Sequence, residues 1–77
     1  MITTRQELNK LIGVNIRHYR KKRGYTIGQL AAMAEMDYTQ LSRIELGKIS
    51  TSVYQLYRIA VALGVTPSSL WISTVNK

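Results

Sequence analysis

The side chains in this sequence best equipped for chemistry are cations. Arg17, Arg20, Lys21, Lys22 and Arg23 crowd one short segment, and Arg43, Lys48 and Arg58 are spread downstream. Guanidinium and ammonium groups set along a helix bind phosphate, the guanidinium bidentately and the ammonium as a mobile point charge. Eleven Lys and Arg against four Asp and Glu give a net charge of +7. That density favours a polyanionic partner, whether DNA, RNA or an acidic membrane surface. Cations also gather at solvated helix ends, where they complement the dipole, so their position on the fold must decide. Covalent and metal chemistry are poorly supported. The chain has no cysteine, and one histidine, His18, cannot assemble a His/Cys metal cluster. No nucleophile or carboxylate stands at helical spacing to orient His18, so it reads as a surface residue. The expectation is a protein that is not an enzyme, holds no cofactor or metal, and shows no evident small-molecule ligand.

The elements that position these cations must come from a small core. Seventy-seven residues make one domain, 1–77, and a chain of this size buries only roughly 60 % of the surface that its unfolded form exposes. Function then belongs on the surface rather than in an enclosed cavity. An apolar content of 45 % supports a folded core, and polar residues break every uncharged stretch before it reaches the length of a bilayer. The opening MITTRQELNK lacks the basic-then-apolar order of a signal peptide, so the expected location is the cytoplasm, away from membranes.

Periodicity and capping signals predict an all-α fold of five helices, at about 5–23, 27–34, 38–46, 53–63 and 67–73. In the first, Leu8, Leu11, Ile12, Ile16 and Tyr19 recur at helical spacing, and Gly24 stops it. Thr26 and Gln29 have capping-box spacing before Leu30, Ala31 and Ala34. Asp37 to Gln40 repeats that pattern before Leu41 and Ile44, with Gly47 as the stop. Two capped helices joined by so short a turn must cross steeply, which is a helix-turn-helix. The fourth helix turns Val53, Leu56, Ile59, Ala60 and Leu63 to one face, and Thr66-Pro67 opens the fifth.

With these residues in place, the chain resembles the phage-repressor, or XRE/Cro-cI, helix-turn-helix family from about Ile12 to Trp71. The resemblance is carried by Ile16 to Gly24, Leu30-Ala31, Leu41 to Lys48 and Ile59 to Val65. It implies a compact five-helix domain that binds paired half-sites as a two-fold dimer and represses or activates transcription. It also pairs Arg20 with Glu45 as an internal ion pair, which removes Arg20 from the DNA contacts. Stand-alone regulators of this kind include restriction-modification controller proteins and small repressors. Three positions depart from the family pattern: Ile27 replaces Gln, Glu35 replaces Gly in the turn, and Thr51 replaces Pro. A left-handed backbone at Glu35 would cost about 1 kcal/mol, so a slightly different turn is expected.

Spacing assigns Tyr38, Thr39, Ser42 and Arg43 to the outer face of the third helix, where bases are read, with Arg43 suited to a guanine edge. Gln40 either caps its own helix or reads adenine. Arg17, Lys21, Lys22, Thr26, Gln29 and Lys48 are expected on phosphates. Tyr54, Tyr57, Leu70, Trp71, Ile72 and Val75 are expected at a dimer contact, with closure of the monomer core as the other role open to Trp71. The resulting expectation is a homodimeric regulator of double-stranded DNA at a promoter-proximal operator, blocking or recruiting RNA polymerase. The alternative is an antitoxin-like interaction module that binds DNA secondarily.

Overall fold

The computed structural model describes residues 4–72. These form four α-helices, α1 (Arg5–Lys22), α2 (Ile27–Met33), α3 (Tyr38–Glu45) and α4 (Val53–Leu63), and a closing 3-10 turn, Pro67–Leu70. The class is all-α, with no strand among the described residues. The fifth helix expected over 67–73 is thus replaced by a four-residue turn. The reason lies in α1: the Asn15 side-chain amide donates to the Leu70 and Ile72 carbonyls at 2.9 and 2.8 Å, taking acceptors that a continuing helix would use. The Asn15 Oδ1 atom on the other side of that amide is buried without a partner.

Side chains start three of the helices. Thr4 and Glu7 form a reciprocal capping box at α1, and Thr26 and Gln29 form one at α2. Ser52 accepts from the Gln55 N–H at α4. The capping expected at α3 is absent: Asp37 has the extended cap backbone but its side chain makes no capping bond. Gln40 does not turn back to complete a box there.

All four α-helices end alike. The N–H of Tyr25, Met36, Lys48 and Val65 reaches back to the carbonyl of Arg20, Ala31, Arg43 and Ala60, and the preceding residue bonds inside that loop. This paired exit requires a left-handed residue. Gly24, Gly47 and Gly64 supply it in three cases, but after α2 it is Glu35, with φ of 58°. The expected departure of the turn does not occur, because the two backbone bonds from Glu35 and Met36 hold the same geometry. The Glu35 carboxylate also meets the Arg58 guanidinium at 2.8 Å, although its side chain is 74 % exposed. Screening makes that pair a small contribution.

Ile16, Leu30, Leu41, Ile44, Ile59, Leu63 and Leu70 are the large, fully buried apolar residues, drawn from every element. Leu70 therefore belongs to the core and is corrected from the expected dimer contact. Val53, assigned by spacing to the inner face of α4, is 85 % exposed, because the first turn of α4 projects past the core.

The closest approach is between α1 and α3. A Cβ at Gly13 would lie 2.6 Å from the Ile44 carbonyl oxygen and nearer still to that of Glu45. Two turns further along α1, Arg20 Nε donates to Glu45 Oε2 at 2.7 Å and Nη2 to Oε1 at 3.1 Å, while Nη1 donates to the Tyr25 carbonyl at 2.9 Å. Both residues are buried. With its charge matched bidentately, the pair is satisfied; a lone buried charge here would cost about 3–5 kcal/mol.

Two substitutions test these constraints. Gly13→Ala is expected to destabilise the fold by about 1–3 kcal/mol in chemical denaturation, since the obstructing atoms are backbone. Glu35→Gly is expected to raise the thermal midpoint by several degrees, as relief of a left-handed penalty of about 1 kcal/mol outweighs loss of an exposed ion pair.

Candidate nucleic-acid interface

The core contacts of α3 decide what it shows to solvent. Leu41, Ile44 and Glu45 are buried, so at 100° per residue Thr39 and Arg43 stand on the opposite side, with Ser42 half-buried beside them. Tyr38 and Gln40 flank this stripe. Tyr38 is exposed, and its ring lies over the first turn of α2: a Cβ at Gly28 would be 3.8 Å from both Tyr38 Cδ2 and Thr26 Oγ1. A Cβ there would make only ordinary van der Waals contact, so Gly28 marks where Tyr38 meets α2 without being sterically required. Leu46 continues the stripe, three residues beyond Arg43, and is exposed despite being apolar. It was absent from the expected contacts, although its phase relative to Thr39 and Arg43 was legible.

Around this stripe the fold places cations selectively. Lys10, Gly13, Arg17 and Arg20 follow one another at spacings of three and four along α1, and the Gly13 and Arg20 contacts turn that side toward the end of α3. Arg17 is exposed on it and Lys21 lies at its edge. Lys48 is exposed just past the α3 exit. Thr26 and Gln29 are exposed at the start of α2, each with its side-chain oxygen engaged in the reciprocal cap, Thr26 N–H to Gln29 Oε1 at 2.8 Å and Gln29 N–H to Thr26 Oγ1 at 3.0 Å. The Gln29 side-chain NH2 remains available to donate.

Lys22 is set apart. It stands half a turn from Gly13 on α1 and borders a cleft with Tyr19, Arg23 and Val65, so the structure does not bring it to the α3 surface. The expected grouping of Lys22 with Arg17 and Lys21 is corrected by this helical phase.

Two acidic groups are consumed elsewhere, while Asp37 stays exposed and unpaired among the described residues at the start of α3. Glu45 holds Arg20 and Glu35 holds Arg58, and among the described residues Arg17, Lys21, Arg43 and Lys48 form no ion pair. Arg58 serves α4 rather than the cationic surface. Its guanidinium donates to the Tyr54 hydroxyl at 2.9 Å, and this bond, opposed by desolvation and aided by Glu35, raises its pKa above the ordinary value.

The residues expected at a dimer contact divide. Tyr54 and Tyr57 are 65 % and 54 % exposed on α4, and with Met33 and Val61 they border a surface cavity of about 420 Å³. Trp71 and Ile72 are exposed at the end of the described chain, Leu70 is buried, and Val75 lies outside the described residues. Trp71 does not close the core; it borders a second cavity, about 330 Å³, with Leu8, Ile12, Val53 and Leu56. Among the described residues no cluster of His, Cys, Asp and Glu can hold a metal ion, and no helix is long and apolar enough to cross a membrane.

Comparison with known proteins bears on the fold and the family. The sequence pattern of the helix-turn-helix family HTH_3 matches residues 16–70. An uncharacterised HTH-type transcriptional regulator, y4dJ, of Sinorhizobium fredii is 33 % identical over 60 residues, covering 78 % of each chain. Among solved structures, the clp gene regulator ClgR from Corynebacterium glutamicum superposes with a TM-score of 0.79 at 27 % identity, over 82 % of this chain and 67 % of that one. The hypothetical transcription factor NHTF from Neisseria reaches a TM-score of 0.86 at 24 % identity, over 99 % and 87 %. The restriction-modification controller protein C.AhdI from Aeromonas hydrophila gives 0.79 at 24 %, over 80 % and 94 %. These last two establish likeness of fold. With the family pattern over most of its length and a relative above 30 % identity, the chain belongs to the XRE-type helix-turn-helix family of DNA-binding transcriptional regulators.

Proposed function

We propose that the protein is a homodimer that binds a two-fold-symmetric operator in double-stranded DNA and regulates an adjacent promoter. The observation that carries this reading is the exposed stripe of α3, Thr39 to Arg43, bordered by Arg17, Lys21 and Lys48, none of which has an acidic partner among the described residues. In this reading α3 enters the major groove. Arg43 donates two hydrogen bonds to a guanine edge, and Thr39 and Leu46 offer apolar contact to thymine methyl groups. Ser42 and Gln40 reach neighbouring base edges, while Tyr38, Thr26 and Gln29 meet the backbone beside α2. Arg17, Lys21 and Lys48 supply salt-dependent affinity without sequence information.

A second copy completes the reading. Half-sites one helical turn apart require a two-fold partner, and the tyrosine-bearing face of α4 offers apolar surface of the type that dimers bury. Binding would then be linked to dimerisation by mass action, so protein concentration sets occupancy. An antitoxin-like role would place a different protein on this same α4 face.

Selection from a randomised duplex pool, with sequencing of the bound fraction, is expected to enrich a palindromic site. Arg43→Ala is expected to lose discrimination at one base position per half-site, by about 1–3 kcal/mol, leaving other positions unchanged. Weak, salt-sensitive binding with no enriched sequence would overturn the proposal. In sedimentation equilibrium, Tyr57→Asp is expected to shift the wild-type dimer to monomer and weaken operator binding while α3 stays intact. A wild-type monomer with unimpaired operator affinity would refute the dimer.

A further inference from the structure

We infer that the N-terminal half of α1 carries a second phosphate-binding ledge, formed by Arg5 and Lys10 with Lys48, that holds the DNA backbone beside the C-terminal end of α3. The inference rests on the DNA-binding reading above and extends it to a segment which the family pattern, beginning at residue 16, does not cover. Neither Arg5 nor Lys10 was among the expected contacts.

Four observations support it. First, Arg5, Gln6, Asn9 and Lys10 of α1 face Leu46, Gly47 and Lys48 across an open cleft of about 590 Å³. The cleft borders the exit of the helix proposed to read bases, through Leu46. Second, Arg5, Lys10 and Lys48 form no ion pair among the described residues. The one acid on α1, Glu7, is bound to Thr4, its carboxylate accepting from both the Thr4 N–H and hydroxyl at 3.1 Å.

Third, the ledge is anchored. A Cβ at Gly47 would lie 2.9 Å from Lys10 Cγ, so the Lys10 stem packs directly on the α3 exit. The Ser50 hydroxyl donates to Asn9 Oδ1 at 3.2 Å, tying the following loop to α1. Fourth, these cations are not needed to finish α3: its terminal carbonyls on Ser42, Arg43 and Ile44 already accept from the N–H groups of Leu46, Lys48 and Gly47.

Dimensions connect the cleft to DNA. The eight residues of α3 span about 12 Å at about 1.5 Å per residue, close to the major-groove width of about 12 Å. A helix of that length lying across the groove brings each end near a wall of phosphates. Thr26 and Gln29 stand at one end of α3. At the other, the capped carbonyls of the α3 exit offer phosphate no donor, and the ledge supplies the positive charge there.

The test compares the salt dependence of full-length protein binding to the selected operator duplex. Two double variants each remove two positive charges: Arg5→Gln with Lys10→Gln, and, as a control, Lys22→Gln with Arg23→Gln at the cleft bordered by Tyr19 and Val65. Loss of two phosphate contacts is expected to flatten the slope of log affinity against log salt by about 1.8 in the first variant, with base preference retained. Between 50 and 200 mM salt, wild-type affinity should then fall about 12-fold further than that of the variant. The control should match wild type. Lys10→Arg, which keeps both stem and charge, should retain the wild-type slope, separating charge from packing on Gly47. Equal slopes in the two double variants, while Arg43→Ala still alters base preference, would overturn this inference alone. Failure of the wild-type protein to select any sequence would overturn the DNA reading with it.

Discussion

The contact between α1 and α3 governs the orientation of everything that meets solvent on the cationic side. At Gly13 the two backbones approach too closely for any Cβ, and at Arg20 the guanidinium closes on Glu45 in a bidentate pair that also gathers the Tyr25 carbonyl. Steric approach sets the separation of the helices, and the ion pair sets their rotation. Because Glu45 is drawn inward at the last residue of α3, Arg43, two positions earlier, is turned outward. A buried pair of this kind adds little net stability over apolar residues of the same shape, but an unmatched partner is costly, which makes one relative orientation far better than its neighbours.

Helix exits impose the second constraint. Each α-helix ends in the same pair of backbone bonds about a left-handed residue, and the only described residue other than glycine with positive φ is Glu35, in the turn of the helix-turn-helix. That position carries conformational cost, and the side chain there reaches Arg58, itself hydrogen-bonded to Tyr54 on the exposed face of α4. The turn that orients α3 is thereby joined to the exposed, tyrosine-bearing face of α4. In energetic terms the link is slight, since its groups are solvated; its geometric effect is to place Arg58 away from the cationic side.

The same economy of charge explains how a small domain can present two unlike surfaces. With four acidic residues, two of them spent on Arg20 and Arg58, Arg17, Lys21, Arg43 and Lys48 have no ion-pair partner among the described residues and give the surface around α3 a positive field. Apolar side chains that the core cannot accommodate collect instead along α4 and at Trp71. A core that buries so little surface leaves this much apolar area outside, and association with a second chain is the usual way to cover it.

By itself the sequence determined the four α-helices, their approximate ends and a polyanionic partner. Local rules act within a few residues: the spacing of Leu11, Ile12 and Ile16, the Thr26-Gln29 cap, the stops after α1, α3 and α4, and the excess of cations all carry their meaning in one dimension. The outward phase of Thr39 and Arg43 was equally legible, because Leu41 and Ile44 fix it. Only the tertiary structure decided contacts set by distant residues. Asn15, buried against carbonyls more than fifty positions away, turned an expected helix into a 3-10 turn and drew Leu70 into the core. Lys22 left the cationic surface because the crossing at Gly13 chose which side of α1 meets α3, and Lys10 joined it for the same reason. Periodicity states which residues share a helix face, but the direction in which that face points depends on where two backbones can touch.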